Sequence, residues 1–384
     1  MNRYALLSQV WPVDSQVPVS GSSVQVYHVG QELARRGRPT LVTLSAHPGF
    51  ANVQEGNLKV VSLPPPGRGL TGMLFTSWMK DMFNVLEDFQ PSVVYQRGKL
   101  PESVVAARYA QRTDAKFVWL SNSNNTGQRW KFVRKRMAKK GRHLRFLPLL
   151  VDAFIGDVII EQAIKRADVV IAQTERQKET IKKSFGQNSI LLGSGHEIPE
   201  FRQKNNRIPK VLWLANLTPV KQPQLFAKLA NSLKDENSRF IMAGRADNEP
   251  LLSQVKKHVR GLNNFSYVGG VSLAEANALF DEADLFVCTS WPGAEGLPNT
   301  FIQACVHGVP IISLGNDPDS MIEKHGIGAA VDSFDELVRT VRLWIKDGRL
   351  RSRAGDTAYS YAQRHLGIDQ VVDKLEEAIV RPTK

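Results

Sequence analysis

The segment SWPGAEGLPNTFIQACVHGVPIISLGNDPDS, residues 290–320, decides how this chain folds. An apolar run at 285–289 precedes it and predicts a buried strand. Within it, helical spacing of apolar residues at 300–307 leads to a second apolar run at 309–313. Strand, loop, helix and strand in this order form the repeating unit of a parallel sheet. The loop before the helix carries Glu295, which places a carboxylate beside a helix N-terminus.

The same alternation extends along most of the chain. In the first half, apolar runs predict strands at 4–10, 40–44, 60–63, 93–96, 117–120 and 169–173, with helices at 24–36, 75–89, 102–112 and 154–167. In the second half, strands are predicted at 211–214, 239–243, 264–268, 285–289 and 309–313, with helices at 223–233, 251–260, 273–282 and 300–307. The predicted fold class is therefore α/β, with two Rossmann-like, doubly wound parallel-sheet domains.

A polar, proline-bounded stretch, IPEFRQKNNRIP at 198–209, predicts a linker between two halves of similar size. The predicted domains are a first Rossmann-like domain at 1–197 and a second at 210–365. A C-terminal helix at 366–384 could pack on either half, including a return to the first.

Composition excludes several classes of protein. The chain has 384 residues, 42% of them hydrophobic, which is typical of a globular protein and excludes a fibrous or disordered one. Its 50 Lys and Arg against 37 Asp and Glu give a net charge of +13, which favours anionic partners. No apolar run approaches the ~20 residues of a membrane span. The two cysteines, Cys288 and Cys305, are predicted to be buried and reduced, so a cytoplasmic location is expected.

Three loops have the residues of a site for a phosphorylated sugar. Gly21 lies in a Ser-Gly loop before the first helix, where backbone amides and the helix dipole favour an anion. Lys221 follows the first strand of the second half, just before a helix that Pro223 begins. The Glu295 carboxylate can accept hydrogen bonds from hydroxyl groups, and the Gln303 amide can both donate and accept them. Dinucleotide and P-loop fingerprints are absent from the sequence.

Through these residues the chain resembles the retaining glycosyltransferases of the GT4 group, with the two-domain GT-B architecture. The resemblance covers nearly the whole chain and is most specific at EGLPNTFIQA, residues 295–304. It implies that Glu295 contacts the donor sugar, that residue 303 holds the ribose, and that Lys221 neutralises the diphosphate. It also implies that the domain at 1–197 lies on the acceptor side, that the domain at 210–365 binds the nucleotide sugar, and that the two face a central cleft. No metal or other cofactor is expected.

The resemblance yields a list of candidate residues. Catalytic roles are expected for Glu295 and Lys221. Donor binding is expected from Gly21, Asn216, Lys221, Arg245, Val268, Gly269, Glu295, Gly296, Leu297, Pro298, Asn299, Thr300 and Gln303. Acceptor-side candidates are Asn122, Asn124 and His196.

Three positions depart from the family's pattern. Gln303 replaces the second Glu of the Glu-x7-Glu motif, so ribose binding is expected to weaken. Asn216 stands where an Arg usually accompanies Lys221, a loss for which Arg245 could compensate. Asn122 and its neighbours Ser123 and Asn124 stand where the family often has a His.

A basic segment at 128–146 has nine Lys or Arg, no acidic residue, and interleaved aromatic residues. This composition favours attachment to an anionic membrane surface over nucleic-acid binding, since no nucleic-acid recognition motif accompanies it. The residues expected to contact the membrane are Arg129, Trp130, Lys131, Arg134, Lys135, Arg136, Lys139 and Lys140. A merely solvated basic loop is the alternative.

No metal site is predicted. Asp317 and Asp319 resemble an Asp-x-Asp pair, but Pro318 indicates a turn before a helix, with Asp319 as its cap.

The predicted function is transfer of a sugar from a nucleotide-diphosphate sugar to a glycan or lipid-linked acceptor in cell-surface polysaccharide or lipopolysaccharide assembly, on the inner face of the cell membrane. Two alternatives stay open. One is an inactive GT-B homologue that acts as a binding partner. The other is a nucleotide-sugar epimerase, which would need paired carboxylates in the first half.

Overall fold

The computed structural model describes residues 2–12, 20–47, 49–64, 69, 72, 77–138, 147–201, 204, 208–246 and 248–381. The chain forms two compact units. The first comprises Met1–Trp11, Ser22–Gly193 and the C-terminal residues from Val371, and the second comprises Pro12–Gly21 and Ser194–Gln370. Each unit has its own parallel sheet, as predicted.

The first unit is built on an eight-stranded sheet. Its strands are β1 (Tyr4–Ser8), β2 (Thr40–Leu44), β3 (Val53–Glu55), β4 (Leu58–Ser62), β5 (Val93–Arg97), β6 (Lys116–Leu120), β7 (Val169–Ala172) and β8 (Ile190–Leu191). They lie in the order β3-β4-β2-β1-β5-β6-β7-β8. Among the described strands, β3 and β4 alone pair antiparallel. The central strands are buried along their length, which explains their uninterrupted apolar runs.

The described helices of this unit surround the sheet. They are α1 (Gly21–Arg35), α2 (Ser77–Phe89), α3 (Glu102–Arg112), α4 (Lys131–Ala138), α5 (Leu147–Ile164), α6 (Glu175–Phe185) and, at the end of the chain, α14 (Ile368–Val380). Helix α6 shows how local sequence sets the ends of a helix. The Thr174 hydroxyl accepts the Gln177 amide at its start, and Gly186, at φ +74°, ends it in the left-handed conformation that favours glycine.

The second unit has a six-stranded sheet. Its strands are β9 (Lys210–Leu214), β10 (Arg239–Ala243), β11 (Phe265–Gly269), β12 (Leu285–Cys288), β13 (Ile311–Leu314) and β14 (Gly328–Val331). They lie in the order β11-β10-β9-β12-β13-β14, and all pairs are parallel. The order reverses beside β9. Ligands of open α/β sheets bind at such a switch point, outside the carboxyl ends of the strands.

Helices α7 to α13 complete this unit. They are α7 (Pro223–Ser232), α8 (Glu249–Val259), α9 (Leu273–Glu282), α10 (Asn299–Val306), α11 (Met321–His325), α12 (Phe334–Lys346) and α13 (Gly348–His365). A capping box begins α9, with the Ser272 hydroxyl and the Glu275 carboxylate each accepting the other's backbone amide. Prolines act as expected too: Pro223 opens α7. Pro310 lacks an amide donor, and β13 begins only after it.

The structure differs from the sequence predictions at a few elements. Helix α5 begins at Leu147 rather than 154, with Pro148 tolerated in its first turn. Helices α4 and α6 and strands β3, β8 and β14 were not predicted. Strand β3 is short and largely exposed, and β14 has the sequence GAAV, so neither shows a strong apolar β pattern.

The stretch predicted as a linker contacts the second unit. The Phe201 ring packs 4.9 Å from that of Tyr359. The Lys204 ammonium donates to the carbonyls of Phe280 and Ala283 at 2.7 and 2.6 Å. Burial lowers the pKa of Lys204 to about 8. In the first unit, α14 packs through buried Val372 and Leu375.

Candidate functional site

Lys221 and Glu295 meet at the carboxyl edge of the second sheet. The Lys221 ammonium donates to Glu295 Oε1 at 2.5 Å. The Ser290 hydroxyl donates to the same oxygen, also at 2.5 Å. The two charged side chains are 27% and 17% exposed, so the pair is partly desolvated but within reach of a ligand. A cation and a carboxylate held together can serve a phosphate and a sugar hydroxyl, respectively.

Hydrogen bonds between two loops fix this pair in place. The Thr289 hydroxyl, just after β12, donates to the Lys221 carbonyl at 2.8 Å and accepts the Trp213 indole N–H at 2.9 Å. The Trp291 amide donates to the Val220 carbonyl at 2.8 Å. Sequence reasoning missed Thr289 and Ser290, although the end of a strand beside the switch point could have drawn attention to them.

The predicted donor residues Asn216 and Arg245 lie in adjacent loops. The Leu217 amide donates to the Arg245 carbonyl at 2.7 Å, which joins the loop after β9 to the loop after β10. Gly244 allows this approach: its φ is +139°, and a Cβ there would lie 1.7 Å from the Ala215 carbonyl oxygen. Asn216 is half-buried and Arg245 is exposed.

The carboxyl end of β11 lies at the same edge of the sheet. The Gly269 carbonyl accepts the Gly244 amide at 2.7 Å, and the Tyr267 hydroxyl donates to the Gly244 carbonyl at 2.9 Å. Val268 is 47% exposed beside them. The structure thus brings the loops bearing Asn216, Arg245 and Gly269 to one edge.

The segment after Glu295 leads into α10. Gly296 and Pro298 are buried, Leu297 packs on the core, and Asn299 and Thr300 form the first turn of the helix. Its N-cap position is Pro298, which makes no side-chain cap. Such a helix start presents the positive end of the helix dipole, which favours anions.

Two predicted residues cluster at Asn299. Buried His196 has its Nε2 3.0 Å from Asn299 Oδ1. Gly21 groups with the second unit, and a Cβ built on it would lie 3.3 Å from the Asn299 Cβ. His196, predicted on the acceptor side, therefore lies beside the donor-site candidates.

Gln303 points into α9 rather than to solvent. Its amide donates to Asn277 Oδ1 at 3.0 Å, and the side chain is buried. Its carbonyl oxygen is the group through which it could accept a hydrogen bond from a ligand. Sequence reasoning did not single out Asn277, which lies in a different helix.

The acceptor-side candidates of the first unit lie in the loop after β6. Asn122 Oδ1 accepts the Thr126 hydroxyl at 2.7 Å, and Asn124 is buried. Gly98, at φ +90°, lies so near that a Cβ there would be 2.8 Å from the Asn122 amide nitrogen. Asn122 and Asn124 thus lie together in one loop of the first unit.

The basic segment is partly described, and Lys139 and Lys140 lie outside the described residues. Arg129, Arg134 and Lys135 are exposed, and Arg136 is half-buried. Lys131 is also half-buried, and burial lowers its pKa to about 8. The Trp130 ring stacks on Phe154 at 5.1 Å.

A buried ionic cluster beneath this segment escaped sequence reasoning. The Lys99 ammonium lies 2.7 Å from Asp157 Oδ1 and 2.6 Å from Glu161 Oε1, with all three side chains buried. Asp157 and Glu161 interrupt the apolar run of α5, a signal that could have indicated a buried partner. In a separate buried contact, the Glu102 carboxylate accepts a hydrogen bond of 2.6 Å from the Ser45 hydroxyl, and burial raises the pKa of Glu102.

The Asp317–Asp319 turn caps a helix, but through the other aspartate than predicted. Asp317, not Asp319, accepts the amides of Ile322 and Glu323, at 2.8 and 3.2 Å. Pro318 begins a 3-10 turn, in which Asp319 is left-handed at φ +51°. Among the described residues, no group of three or more His, Cys, Asp or Glu side chains is placed to hold a metal.

Two family models match the chain, one in each half. Residues 196–361 match the glycosyl transferases group 1 model, and residues 20–189 match the glycosyl transferase 4-like domain. No curated protein matches the chain in sequence.

Solved structures of similar fold are glycosyltransferases. A sucrose-phosphate synthase from Thermosynechococcus elongatus superposes with a TM-score of 0.77 at 13% identity, covering 99% of this chain and 98% of its own. HepE from Anabaena, in complex with UDP-glucose, superposes with a TM-score of 0.70 at 13% identity. The match covers 99% of this chain and 100% of HepE. WaaG, involved in lipopolysaccharide biosynthesis, gives 0.68 at 14% identity, covering 98% and 99%.

These likenesses establish the fold as GT-B, in agreement with the sequence prediction. Together the two family models match most of both units. The chain therefore combines a glycosyl transferase 4-like domain in its first half with a glycosyl transferases group 1 domain in its second half.

Proposed function

We propose that this protein is a retaining glycosyltransferase that uses a nucleotide-diphosphate sugar as donor and needs no metal. The observation that carries the proposal is the Lys221–Glu295–Ser290 contact at the switch point of the second sheet. A UDP-sugar is the first donor to test, because the structure of HepE holds UDP-glucose.

In the proposed reaction, Lys221 and the N-terminus of α10 stabilise negative charge that develops on the diphosphate. Glu295 accepts hydrogen bonds from hydroxyls of the donor sugar and orients it. The bond between the anomeric carbon and the diphosphate oxygen breaks, and a bond to the acceptor oxygen forms on the same face. The acceptor's proton passes to the leaving phosphate oxygen, so no protein base is required.

Acceptor binding is assigned to the first unit, with Asn122 and Asn124 as candidates, and to His196. Because the described basic residues Arg134 and Lys135 are exposed, we propose a lipid-linked or cell-surface glycan acceptor on an anionic membrane, with the enzyme peripheral on its inner face. No helix among the described residues is long and apolar enough to cross a bilayer.

The test is release of nucleoside diphosphate from a panel of UDP-, GDP- and ADP-sugars, with and without glycan acceptors. Lys221→Ala should abolish most turnover while the fold is retained. Lys256→Ala is the matched control, because Lys256 forms an exposed ion pair with Glu249 in the same unit.

Unchanged turnover in Lys221→Ala would remove Lys221 from the site. If the wild type turned over none of the donors with any acceptor, the chain would be a binding partner that keeps the fold.

A further inference from the structure

The first two turns of α5 present apolar side chains to solvent. Leu147, Val151 and Phe154 are 63%, 49% and 51% exposed, and their i, i+4, i+7 spacing places them on one stripe of the helix. Leu149 is 39% exposed beside them. Large apolar side chains grouped in this way on a surface mark an interaction site.

Basic side chains border the apolar stripe. Helix α4, which packs against α5, exposes Arg134 and Lys135, and its Met137 is 69% exposed. In α4 and the first two turns of α5, Asp152 is the only acidic residue, and it is half-buried. We call the exposed side chains of α4 and of α5 up to Phe154 the α4–α5 surface.

The ionic cluster under α4 holds this surface together. Asp157 Oδ2 accepts the amides of Phe132 and Val133, at 2.9 and 3.0 Å, and so caps the start of α4. Glu161 accepts the Trp130 amide at 2.7 Å. Asp157 and Glu161 of α5 thus face inward, toward Lys99, while the exposed apolar and basic side chains remain on the outside.

We infer that the α4–α5 surface docks on an anionic bilayer by inserting the apolar stripe of α5 while α4 contacts lipid phosphates. This inference rests on the proposed membrane acceptor and names the surface that reaches it. It differs from attachment by charge alone, because exposed Leu147 and Val151 supply the insertion. Phe132 packs on the core, and Trp130 and Phe154 stack on each other beside the two aliphatic side chains.

The positive charge of the α4–α5 surface favours an anionic bilayer, rather than a second copy of the chain, as its partner. Two copies joined through this surface would bring Arg134 and Lys135 of each near those of the other, with few acids to offset them. Anionic headgroups offer the opposite charge, and an interfacial helix places its apolar side chains about 5–10 Å into the headgroup boundary. Binding should therefore need anionic lipid and yet persist partly in salt.

The experiment compares the full chain with Leu147→Ser/Val151→Ser by co-sedimentation with vesicles of phosphatidylcholine and phosphatidylglycerol, at low salt and at 1 M salt. We expect wild type to bind and to keep part of its binding at 1 M salt. The double variant should bind about a hundredfold more weakly, as the loss of two inserted aliphatic side chains implies. The matched control is Leu343→Ser/Val380→Ser, since those residues are 56% and 75% exposed on α12 and α14.

Insertion is read directly from an environment-sensitive fluorophore on Leu147→Cys. The native Cys288 and Cys305 are buried, so labelling is selective. Emission should shift to the blue with anionic vesicles, whereas a probe on Leu343→Cys should not shift.

Equal vesicle binding by the double variant and wild type, or no shift at position 147, would overturn the inference. Concentration-dependent dimers that Leu147→Ser/Val151→Ser abolishes, with no vesicle binding, would make the surface a self-association site instead. Donor hydrolysis without vesicles should be equal in wild type and both double variants. If it is absent from all three, the proposed transferase fails while the vesicle result still decides the surface.

Discussion

Lys221 and Glu295 are 74 residues apart in sequence and share a hydrogen bond. The sequence allowed both to be predicted, because each follows a strand of the same parallel sheet and precedes a helix. It did not show that they touch, since that depends on Thr289 and on Gln222, whose φ of +47° turns the chain after Lys221. These contacts are long-range or conformational, and no local pattern encodes them.

Replacing Glu295 by Gln should lower the turnover of nucleotide sugars by about a hundredfold or more, comparable to the loss of one preorganised polar group in other active sites. The amide keeps the size of the side chain and a hydrogen bond from Ser290 but loses the charge that faces Lys221. Steady-state rates of diphosphate release measure the effect. Glu249→Gln, at a position whose side chain is 78% exposed, should leave the rates unchanged. Wild-type rates in Glu295→Gln would show that the carboxylate charge is not used.

Gln303→Glu tests the departure from the family motif. Because the Gln303 amide donates to Asn277 Oδ1, a carboxylate there requires the Asn277 amide to turn and donate instead. We expect the fold to be retained and donor affinity to be equal or tighter, as measured by calorimetry with nucleoside diphosphate. Loss of all nucleotide binding in a folded variant would place position 303 away from the ribose.

His28 makes the first unit sensitive to acid. Burial lowers its pKa from 6.5 to about 4, so the folded state resists protonation that the unfolded chain accepts. Its contribution to stability is fully present above pH 6.5 and is lost as the pH falls toward 4, by about 3 kcal/mol in total. Compared with wild type, His28→Gln should lose less stability between pH 6.5 and 4 in urea denaturation. Parallel pH profiles for the two proteins would contradict this assignment.

At the scale of elements, α4 shows where sequence reasoning stops. Its sequence KFVRKRMA has no apolar stripe, and none of its residues is fully buried. Its cap comes from Asp157, 25 residues from Phe132. A basic segment was therefore predictable, but its helix was not, because the stabilising partner lies on α5.

Lys99→Met should destabilise the first unit by ~3–5 kcal/mol, because it leaves two buried carboxylates without their cation. Hydrogen exchange should accelerate first at the amides of Trp130, Phe132 and Val133, because these amides donate hydrogen bonds to the two carboxylates. Adding Asp157→Asn and Glu161→Gln to Lys99→Met should recover part of the stability, since no uncompensated charge remains. If Lys99→Met alone were as stable as wild type, the buried ionic cluster would contribute little to the stability of the first unit.

At the scale of the molecule, the last helix belongs to the first unit although it follows the second in sequence. Arg36 and Arg38 pair with Asp373 and Glu376, and the Tyr4 hydroxyl donates to Glu376 at 3.1 Å. The sequence predicted an amphipathic helix here but left its partner open, because amphipathicity marks a buried face without naming what covers it.

Leu375→Ala should destabilise the first unit by ~2–5 kcal/mol, the usual cost of truncating a buried leucine. Leu375 is 2% exposed. Hydrogen exchange measured by mass spectrometry should rise in peptides from β1 and α1, and remain unchanged in peptides from β9 and β12. Faster exchange confined to the second unit would contradict the placement of α14.

The alternating pattern allowed both sheets and the α/β class to be predicted from sequence. The strands that escaped it, β3 and β14, lack apolar alternation, and β8 has only two residues. The apolar pattern also did not predict the order of the strands in each sheet, because crossover connections rather than local sequence decide which strands are neighbours.

The most direct test of the proposed donor site is calorimetric titration of the full chain with UDP, GDP and ADP. We predict that at least one diphosphate binds the wild type, and that Lys221→Ala binds it roughly ten- to a hundredfold more weakly, as loss of a charge-assisted hydrogen bond implies. Lys256→Ala should bind like wild type. Equal affinity of Lys221→Ala and wild type would contradict the claim that the edge of the second sheet binds the donor diphosphate through Lys221.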